Sequence, residues 1–345
     1  MANRRATQAD VAALAGVSPT AVSLVLAGRT GTRLSDTVQS RVHAAAAELG
    51  YRPNLTARAL STQRSHAIGL VSDQASVSPE ASALIRGALR GARAHRMTVL
   101  TAETEGDPEI QREATEALVD RGVDGLIFVA SRSRVITLPE AAMRTRLVLL
   151  NARIAEDRLA VLPDEHNGAR SLVDLLAQAG HRDAVAVIGA GAPELEPDVT
   201  FTVKRRLEGL WEGFAAHGIT PFATVPEAEW ELSTGYDGMR ALLARETRPK
   251  VVICLNDRLA FGASRAIHDA GLRIPEDVSI ASFDDDVIAE YVQPQLTTVS
   301  LPYVRMGELA VELLMNDDSA PGEHLVDMPV HVRRSVRGLA PTEQG

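Results

Sequence analysis

The sequence predicts a small all-α head followed by an α/β body of two lobes, and three features point to it. Residues 9–28 hold two short apolar helical runs separated by glycine and Ser-Pro. From residue 66 the rhythm changes to apolar strands alternating with amphipathic helices, as parallel sheets covered by helices require. Charge divides at the same place. Residues 1–65 carry eight arginines (Arg4, Arg5, Arg29, Arg33, Arg41, Arg52, Arg58, Arg64) against Asp10, Asp36 and Glu48, a net of +5 in a chain whose total is −9. A basic head on an acidic body suits a head that meets a polyanion while the body stays off it, with chance asymmetry as the plain alternative. At 345 residues and 45% hydrophobic content the chain suits two or three globular units.

The first helical stretch, "ADVAALAGVSPTAVSLVLAG" after "MANRRA", has two readings. Basic residues before an apolar run resemble a secretory signal, and Val25-Leu26-Ala27 would pass as its cleavage site. A signal, however, needs one unbroken apolar helix. Here Gly16 suits a helix end, Ser18 an N-cap and Pro19 a first helical position that needs no N–H. Thr7 with Asp10 forms a capping-box-like start. The stretch therefore reads as helix 7–15, a turn at Gly16-Val17, and helix 19–26, with Val11, Leu14, Val17, Val22 and Val25 in one small core. A third helix, "DTVQSRVHAAAAELG", spans about 36–49 and ends at Gly50. Three short helices with a glycine turn between the first two make a helix-turn-helix unit.

"DVAALAGVS", then "VSLVL", then "AAAELGYRPNLTARAL" resembles the head of the lactose/galactose repressor (LacI/GalR) family of bacterial transcription regulators. The resemblance implies that the second helix lies in the major groove, with Pro19, Thr20 and Leu24 nearest the base edges. Ser18 and Ser23 then contact phosphates, which position the helix without specifying sequence. The family usually has arginine where Leu24 stands, so weaker guanine readout is expected there; alternatively Leu24 points into the core, a role Leu26 can also fill. The turn "GRTGTRLSD" is longer than the family's common length and brings Arg29 and Arg33 to the groove rim, or leaves them as solvated loop charges. Val38 replaces a threonine that the family often places early in the third helix.

"YRPNLTARALSTQRS" reads as a linker. Pro53 blocks a helix running through from residue 49, and Asn54 can cap a short helix, 55–61, bearing Leu55, Ala57, Ala59 and Leu60. Such a helix is too short to persist alone in water and needs a dimer partner on DNA. By resemblance Leu60 wedges into the minor groove; alternatively it packs the linker on the body. The expected DNA-contacting set is thus Thr7, Ser18, Pro19, Thr20, Ser23, Leu24, Arg29, Arg33, Asn54, Ala57 and Leu60. The expected domains are 1–52 (head), 53–65 (hinge) and 66–345 (effector binding and dimerisation). The last divides into lobes of about 66–165 with 303–325 and 166–298 with 326–345.

In the body, "HAIGLVSD", "MTVLTAE", "VDGLIFVA", "RLVLLNA" and "LAVLPD" form a first strand set, with helices near 80–95 and 108–121. "DAVAVIGA", "FATVPEAE", "KVVICLND" and "VSIASFDDD" form a second, with helices near 202–217, 234–245 and 257–270. Ligands in such folds sit beyond the carboxyl ends of the strands. The resemblance agrees: it implies a periplasmic-binding-protein-like body with an effector site between lobes. Arg206, Asn256 and Asp284 match the family's effector contacts, Trp230 its aromatic, and Asp164 and Tyr303 further contacts. Carboxylates, an amide and a guanidinium beside an indole suit a polyhydroxylated ligand, a carbohydrate or a derivative of one. Each residue has a plainer role too. Arg206 can pair with a surface carboxylate, Trp230 can be lobe core, and Asp257 and Asp286 can cap helices.

Enzyme signatures fail one by one. "GAGAPE" has Glu194 at the third glycine position of a dinucleotide fingerprint. No phosphate loop, nucleophile elbow or H-E-x-x-H pair occurs. Asp284–Asp286 lack the spacing of a metal loop, and no cofactor is expected. The single cysteine, Cys254, falls in an apolar run and reads as a core thiol. The expectation is a cytoplasmic, nucleoid-associated, dimeric transcription regulator, most simply a repressor. It binds a near-palindromic double-stranded operator and answers a small molecule, without contact to a membrane. With no leucine heptad tail, a coiled-coil tetramer is not expected. A transporter's solute-binding protein, which shares the two-lobed body, is the alternative.

Overall fold

Thr7 starts the first helix of the head. In the computed structural model its hydroxyl accepts from the Asp10 N–H at 3.3 Å, while the Asp10 carboxylate takes the Thr7 N–H at 2.8 Å. Helix α1 (Gln8–Ala15) ends at Gly16 with φ 65°, a left-handed conformation that glycine adopts without strain. Ser18 then caps α2 (Pro19–Leu26) by accepting the Ala21 N–H at 3.2 Å. The two axes turn by 102°, so the apolar stretch is two capped helices and not one continuous rod. Helix α3 (Asp36–Glu48) completes the head. The structure describes residues 6–26, 34–51, 64–74, 78–190, 201–226 and 229–339, in two units that divide after His66.

The head core is Val11, Ala12, Ala15, Val22, Val25, Val42, Ala45 and Ala46, flanked by Val17, Leu26, Leu34 and Tyr51. Leu14 does not join it and is 48% exposed. The stripe that closes on α1 is 11, 12 and 15, and Leu14 falls about a sixth of a turn beyond its Val11 edge. Leu24 is half-buried outside this core, and Leu26 packs against it.

Among the described residues, the body holds two six-stranded sheets. The first is built from β1 (Ala67–Ser72), β2 (Thr98–Glu103), β3 (Gly125–Val135), β4 (Leu147–Arg153), β5 (Leu159–Pro163) and β11 (Gly322–Val326). Its order is β2-β1-β3-β4-β5-β11, and all its pairings are parallel. The second contains β6 (Val185–Ile188), β7 (Ala223–Val225), β8 (Val251–Cys254), β9 (Ser279–Asp284), β10 (Thr297–Ser300) and β12 (Val330–His331). Its order is β7-β6-β8-β9-β10-β12, parallel except for β12 against β10. Near-continuous apolar runs such as Val251–Cys254 suit strands covered on both faces. Cys254 is fully buried there, and burial pushes its thiol pKa far up.

Helices α4 (Pro79–Ala94), α5 (Pro108–Asp120) and α11 (Tyr303–Met315) accompany the first sheet, with α6 (Glu165–Gln178), α7 (Phe201–Ala216), α8 (Leu232–Leu243), α9 (Asp257–Asp269) and the short α10 (Ile288–Tyr291) alongside the second. Asp107 caps α5, as the Asp-Pro pair suggests. Glycines set the tightest crossing in the first lobe: a Cβ on Gly87 would lie 2.0 Å from the Val304 carbonyl oxygen, and one on Gly307 2.1 Å from that of Leu84.

Three differences from the sequence reading have physical causes. Helix α8 starts at Leu232, before "STG", because Glu231 and Thr234 form a capping box and Gly235 permits contact with α9. Strand β7 is only three residues and stops before Pro226, which cannot donate to a ladder. Helix α9 is capped by Asn256, not by Asp257. Asp257 is instead buried, accepting from Ser282 Oγ at 2.5 Å and the Asp286 N–H at 2.7 Å.

The chain passes between lobes at three places, held by backbone hydrogen bonds. The Asp164 N–H donates to the Val326 carbonyl (2.9 Å), that of Ser300 to Pro329 (2.8 Å) and that of Leu301 to Asp284 (3.1 Å).

Candidate functional site

In the head, Ser18, Pro19, Thr20 and Ser23 lie exposed on one edge of α2, with Leu24 half-buried beside them. Ser18 uses its oxygen as a cap, which leaves the hydroxyl proton to donate outward. Thr7 is exposed, yet its hydroxyl is engaged with Asp10. Gln8 Nε2 donates to the Pro19 carbonyl at 2.7 Å and ties the starts of the two helices together. Arg29, Arg33, Asn54, Ala57 and Leu60 lie outside the described residues.

In the body, each sheet reverses its strand order once, between β1 and β3 and between β6 and β8. Crevices open at the carboxyl ends of such strands. At the second reversal Arg206, on α7, is 3% exposed. Its Nε and Nη2 donate to Glu165 Oε2 and Oε1 at 2.7 and 2.9 Å, a two-pronged pair. Its Nη1 donates to the Leu255 carbonyl, and Asp284 Oδ1 lies 3.6 Å from Nη2. The guanidinium carbon sits 4.5 Å from the Phe283 ring centroid and 5.7 Å from that of Trp230. One cation thus joins the start of α6, the ends of β8 and β9, and an indole.

The surrounding side chains are locked in turn. Asn256 accepts the Leu259 N–H at 2.8 Å and donates to the Trp230 carbonyl at 3.1 Å. Trp230 is half-buried, packed on the edge of the lobe core, with its indole nitrogen near Gly189 at the tip of β6. Asp164 caps α6 through the Asn167 N–H at 3.3 Å. Asp284 and Asp285 hold φ of 103° and 56°, a costly conformation for residues with a Cβ.

Burial disfavours the Arg206 charge, but Glu165 and Asp284 more than offset this and raise its pKa. Burial pushes Asp284 up to about 7, against the pull of Arg206 and with help from Asp257, Glu165 and Glu80. Asp257 is raised to about 6, again by burial, opposed by its hydrogen bonds to Ser282, Thr298 and the Asp286 N–H. Tyr303, the first residue of α11, is raised well above its ordinary value by burial and by Asp284 and Glu165. Tyr303 and Glu80 belong to the first lobe, so the cluster spans the lobe junction.

The first lobe supplies a second polar group at its own strand reversal. Asp73 accepts the Ser131 N–H at 2.9 Å and pairs with Arg134 at 2.5 Å. Asn151, at φ 58°, donates to the Ala130 carbonyl at 3.0 Å and is bonded to Ser133.

Residues 7–54 match the bacterial regulatory proteins of the lacI family, and residues 173–336 match the periplasmic binding protein-like domain. The ribose operon repressor of Haemophilus influenzae is 31% identical over 323 residues, covering 92% of this chain and 94% of that protein. The chain belongs to the LacI family. A lac repressor dimer bound to operator and an anti-inducer shares the fold (TM-score 0.76, 24% identity, 97% of this chain and 100% of that one). The regulator CelR, solved in complex with cellobiose, has a TM-score of 0.60 at 26% identity, over 96% of this chain and 100% of that one.

As a LacI-family member the chain is a DNA-binding transcriptional regulator and not an enzyme. No single described helix is long and apolar enough to cross a membrane. The structure gathers Arg206, Asn256, Asp284, Trp230 and Tyr303 at the lobe junction and sets Asp164 beside them. Sequence reasoning missed Glu165, Asp73, Ser131, Arg134 and Asn151. The carboxylate that holds Arg206 is buried, not on the surface: the Glu165 side chain is 4% exposed. Its one signal was its place directly after the strand-ending Asp164, which also suits an ordinary helix-start acid.

Proposed function

We propose that this regulator is a repressor that binds a near-palindromic operator as a homodimer, with a carbohydrate held between the lobes setting its affinity for DNA. The observation that carries the ligand reading is the Arg206 cluster. Around the buried Arg206–Glu165 pair, the partly exposed Asp284 carboxylate and the half-buried Trp230 indole come together at the carboxyl ends of the strands, an acceptor and an apolar face for a polyol's hydroxyls and C–H face. The ribose, operator and cellobiose named for its relatives support the same reading.

In this reading residues 1–52 meet the major groove with Pro19, Thr20 and Leu24 nearest the bases, Ser18, Ser23, Arg29 and Arg33 on phosphates, and Thr7 as a further DNA contact. Residues 53–65 form a hinge in which Asn54, Ala57 and Leu60 meet the minor groove. Residues 66–165 with 303–325, and 166–298 with 326–345, form the lobes. Ligand acts only through its different affinity for the two lobe arrangements. The protein works in the cytoplasm, at the nucleoid.

The test is a thermal-shift and DNA-anisotropy screen of pentoses, hexoses and disaccharides against the full-length protein, using a duplex selected from genomic fragments. A sugar that raises the melting temperature and changes DNA affinity supports the reading, and Arg206→Ala should abolish that response. If every sugar leaves both readouts unmoved, the carbohydrate reading fails.

A further inference from the structure

We infer that the interlobe site is a charge filter: it takes an uncharged polyol and turns away the phosphorylated or carboxylated form of the same sugar. This rests on the carbohydrate reading above and narrows it.

An α/β cleft has two ordinary devices for holding an anion: helix N-termini and arginine forks. Around the Arg206 cluster both are engaged from within, although α7 itself starts without a first-turn acid. Helices α4, α6 and α9 start beyond the carboxyl ends of β1, β5 and β8, and each carries its own carboxylate in the first turn, Glu80, Glu165 and Asp257. Their caps Ser78, Asp164 and Asn256 already accept the N–H groups of Ala81, Asn167 and Leu259. The Arg206 fork is taken by both oxygens of Glu165. At the other strand reversal Arg134 is held by Asp73. Arg258, on the first turn of α9, turns to Glu231 at 3.3 Å. The undescribed body residues 75–77, 191–200, 227–228 and 340–345 contain no lysine, arginine or histidine, so they add no cation.

What remains for a ligand is an excess of carboxylate oxygens. Asp284 is 3.6 Å from Arg206 with a 31% exposed side chain, and Glu80 faces the junction from the first lobe. These oxygens accept from sugar hydroxyls, and Trp230 offers an apolar face. A phosphate or carboxylate would meet Glu80, Glu165 and, where ionised, Asp284 in a partly desolvated site. Among the described residues the Arg206 fork is taken by Glu165, and Arg205 and Arg153, which flank Phe201 at the junction, turn to Glu323.

The experiment titrates full-length protein with matched sets at one ionic strength: ribose and ribose 5-phosphate; glucose, glucose 6-phosphate and glucuronate; galactose and galacturonate. In any set that binds, the neutral sugar should bind at least about tenfold tighter than its anionic partner. An anion that binds as well as its parent overturns the filter while leaving a carbohydrate site in place. Silence from every sugar overturns the carbohydrate reading and the filter with it. Glu165→Gln frees the Arg206 fork, and in a variant that still melts cooperatively the discrimination should shrink by about tenfold. Unchanged discrimination there would remove Arg206 and Glu165 from the filter.

Discussion

Head and body are held together over different distances along the chain. The Thr7–Asp10 box in the head spans three residues, and the Gln8 bond to Pro19 spans eleven. In the body, Arg206 meets Glu165 across 41 residues and Asp73 meets Ser131 across 58. The head core is made of valines and alanines, whereas the second lobe packs around large side chains such as Phe283, Ile188 and Leu210 and encloses an ion pair. The head should therefore respond to substitution in small local steps. The body should respond in large ones, because a single side chain there ties several distant segments together. Trp211 and Trp230 are the only tryptophans in the chain and both lie in the body, so their fluorescence reports its unfolding separately from the head.

The largest expected effect is from Arg206→Ala. It leaves the Glu165 carboxylate buried without its partner, and breaking a buried pair costs about 3–5 kcal/mol. The tryptophan-detected urea midpoint should fall accordingly, while DNA binding below that midpoint survives. An unshifted midpoint would show that water already solvates the pair. Replacing both partners together, Arg206→Met with Glu165→Leu, should restore part of the loss, since the orphaned Glu165 charge is gone while Asp284 and the Leu255 carbonyl still lack Arg206.

Next comes Gly307→Ala. The new methyl would collide with the Leu84 carbonyl oxygen, a backbone atom that cannot swing aside, so α4 and α11 must separate at a cost of about 1–3 kcal/mol. A melting temperature equal to wild type would mean that the crossing is looser than its geometry.

Thr7→Ala probes the head. Losing the cap should cost about 1 kcal/mol, seen as reduced helical circular dichroism and weaker DNA binding, with the tryptophan-detected midpoint unchanged. If that midpoint moves as well, the separation between local head and long-range body is wrong.

The same contrast explains what was legible in the sequence. Helix ends in the head are written in neighbouring residues: Thr7 with Asp10, Gly16, Ser18 with Pro19. Leu14 was misplaced because an eight-residue helix offers two plausible apolar stripes, and only packing against α2 and α3 chooses between them. In the body, strand runs and the residues closing them were legible, which marked Asn256 and Asp284, while Arg206, on a helix, was marked by its match to the family's effector contacts. Glu165 was not, because its partner is distant in the chain and an acid at a helix start has an ordinary explanation. Asp73 directly follows β1, and Ser131 and Arg134 lie in the second half of β3, with no spacing rule to mark them; only the order of strands brings them together.

The smallest expected effect concerns Asp284, and its sign differs from that of most native carboxylates. Burial lifts its folded pKa to about 7, above the value of about 4 in an unfolded chain. Between those limits the folded state holds a proton that the unfolded state has released, so this residue's contribution to stability is greatest below pH 4. It is lost as pH rises toward 7. Asp284→Asn mimics the protonated form and suits a positive φ, so it should remove that slope. Other groups titrate in both proteins, Asp257 included, so the readout is the gap between variant and wild-type urea midpoints. That gap should be near zero at pH 4 and widen in favour of the variant up to pH 7, then stay level. Solvent at a 31% exposed side chain keeps it small. A gap that is flat with pH, or that widens toward acid, would place Asp284 in water and loosen the cluster around Arg206.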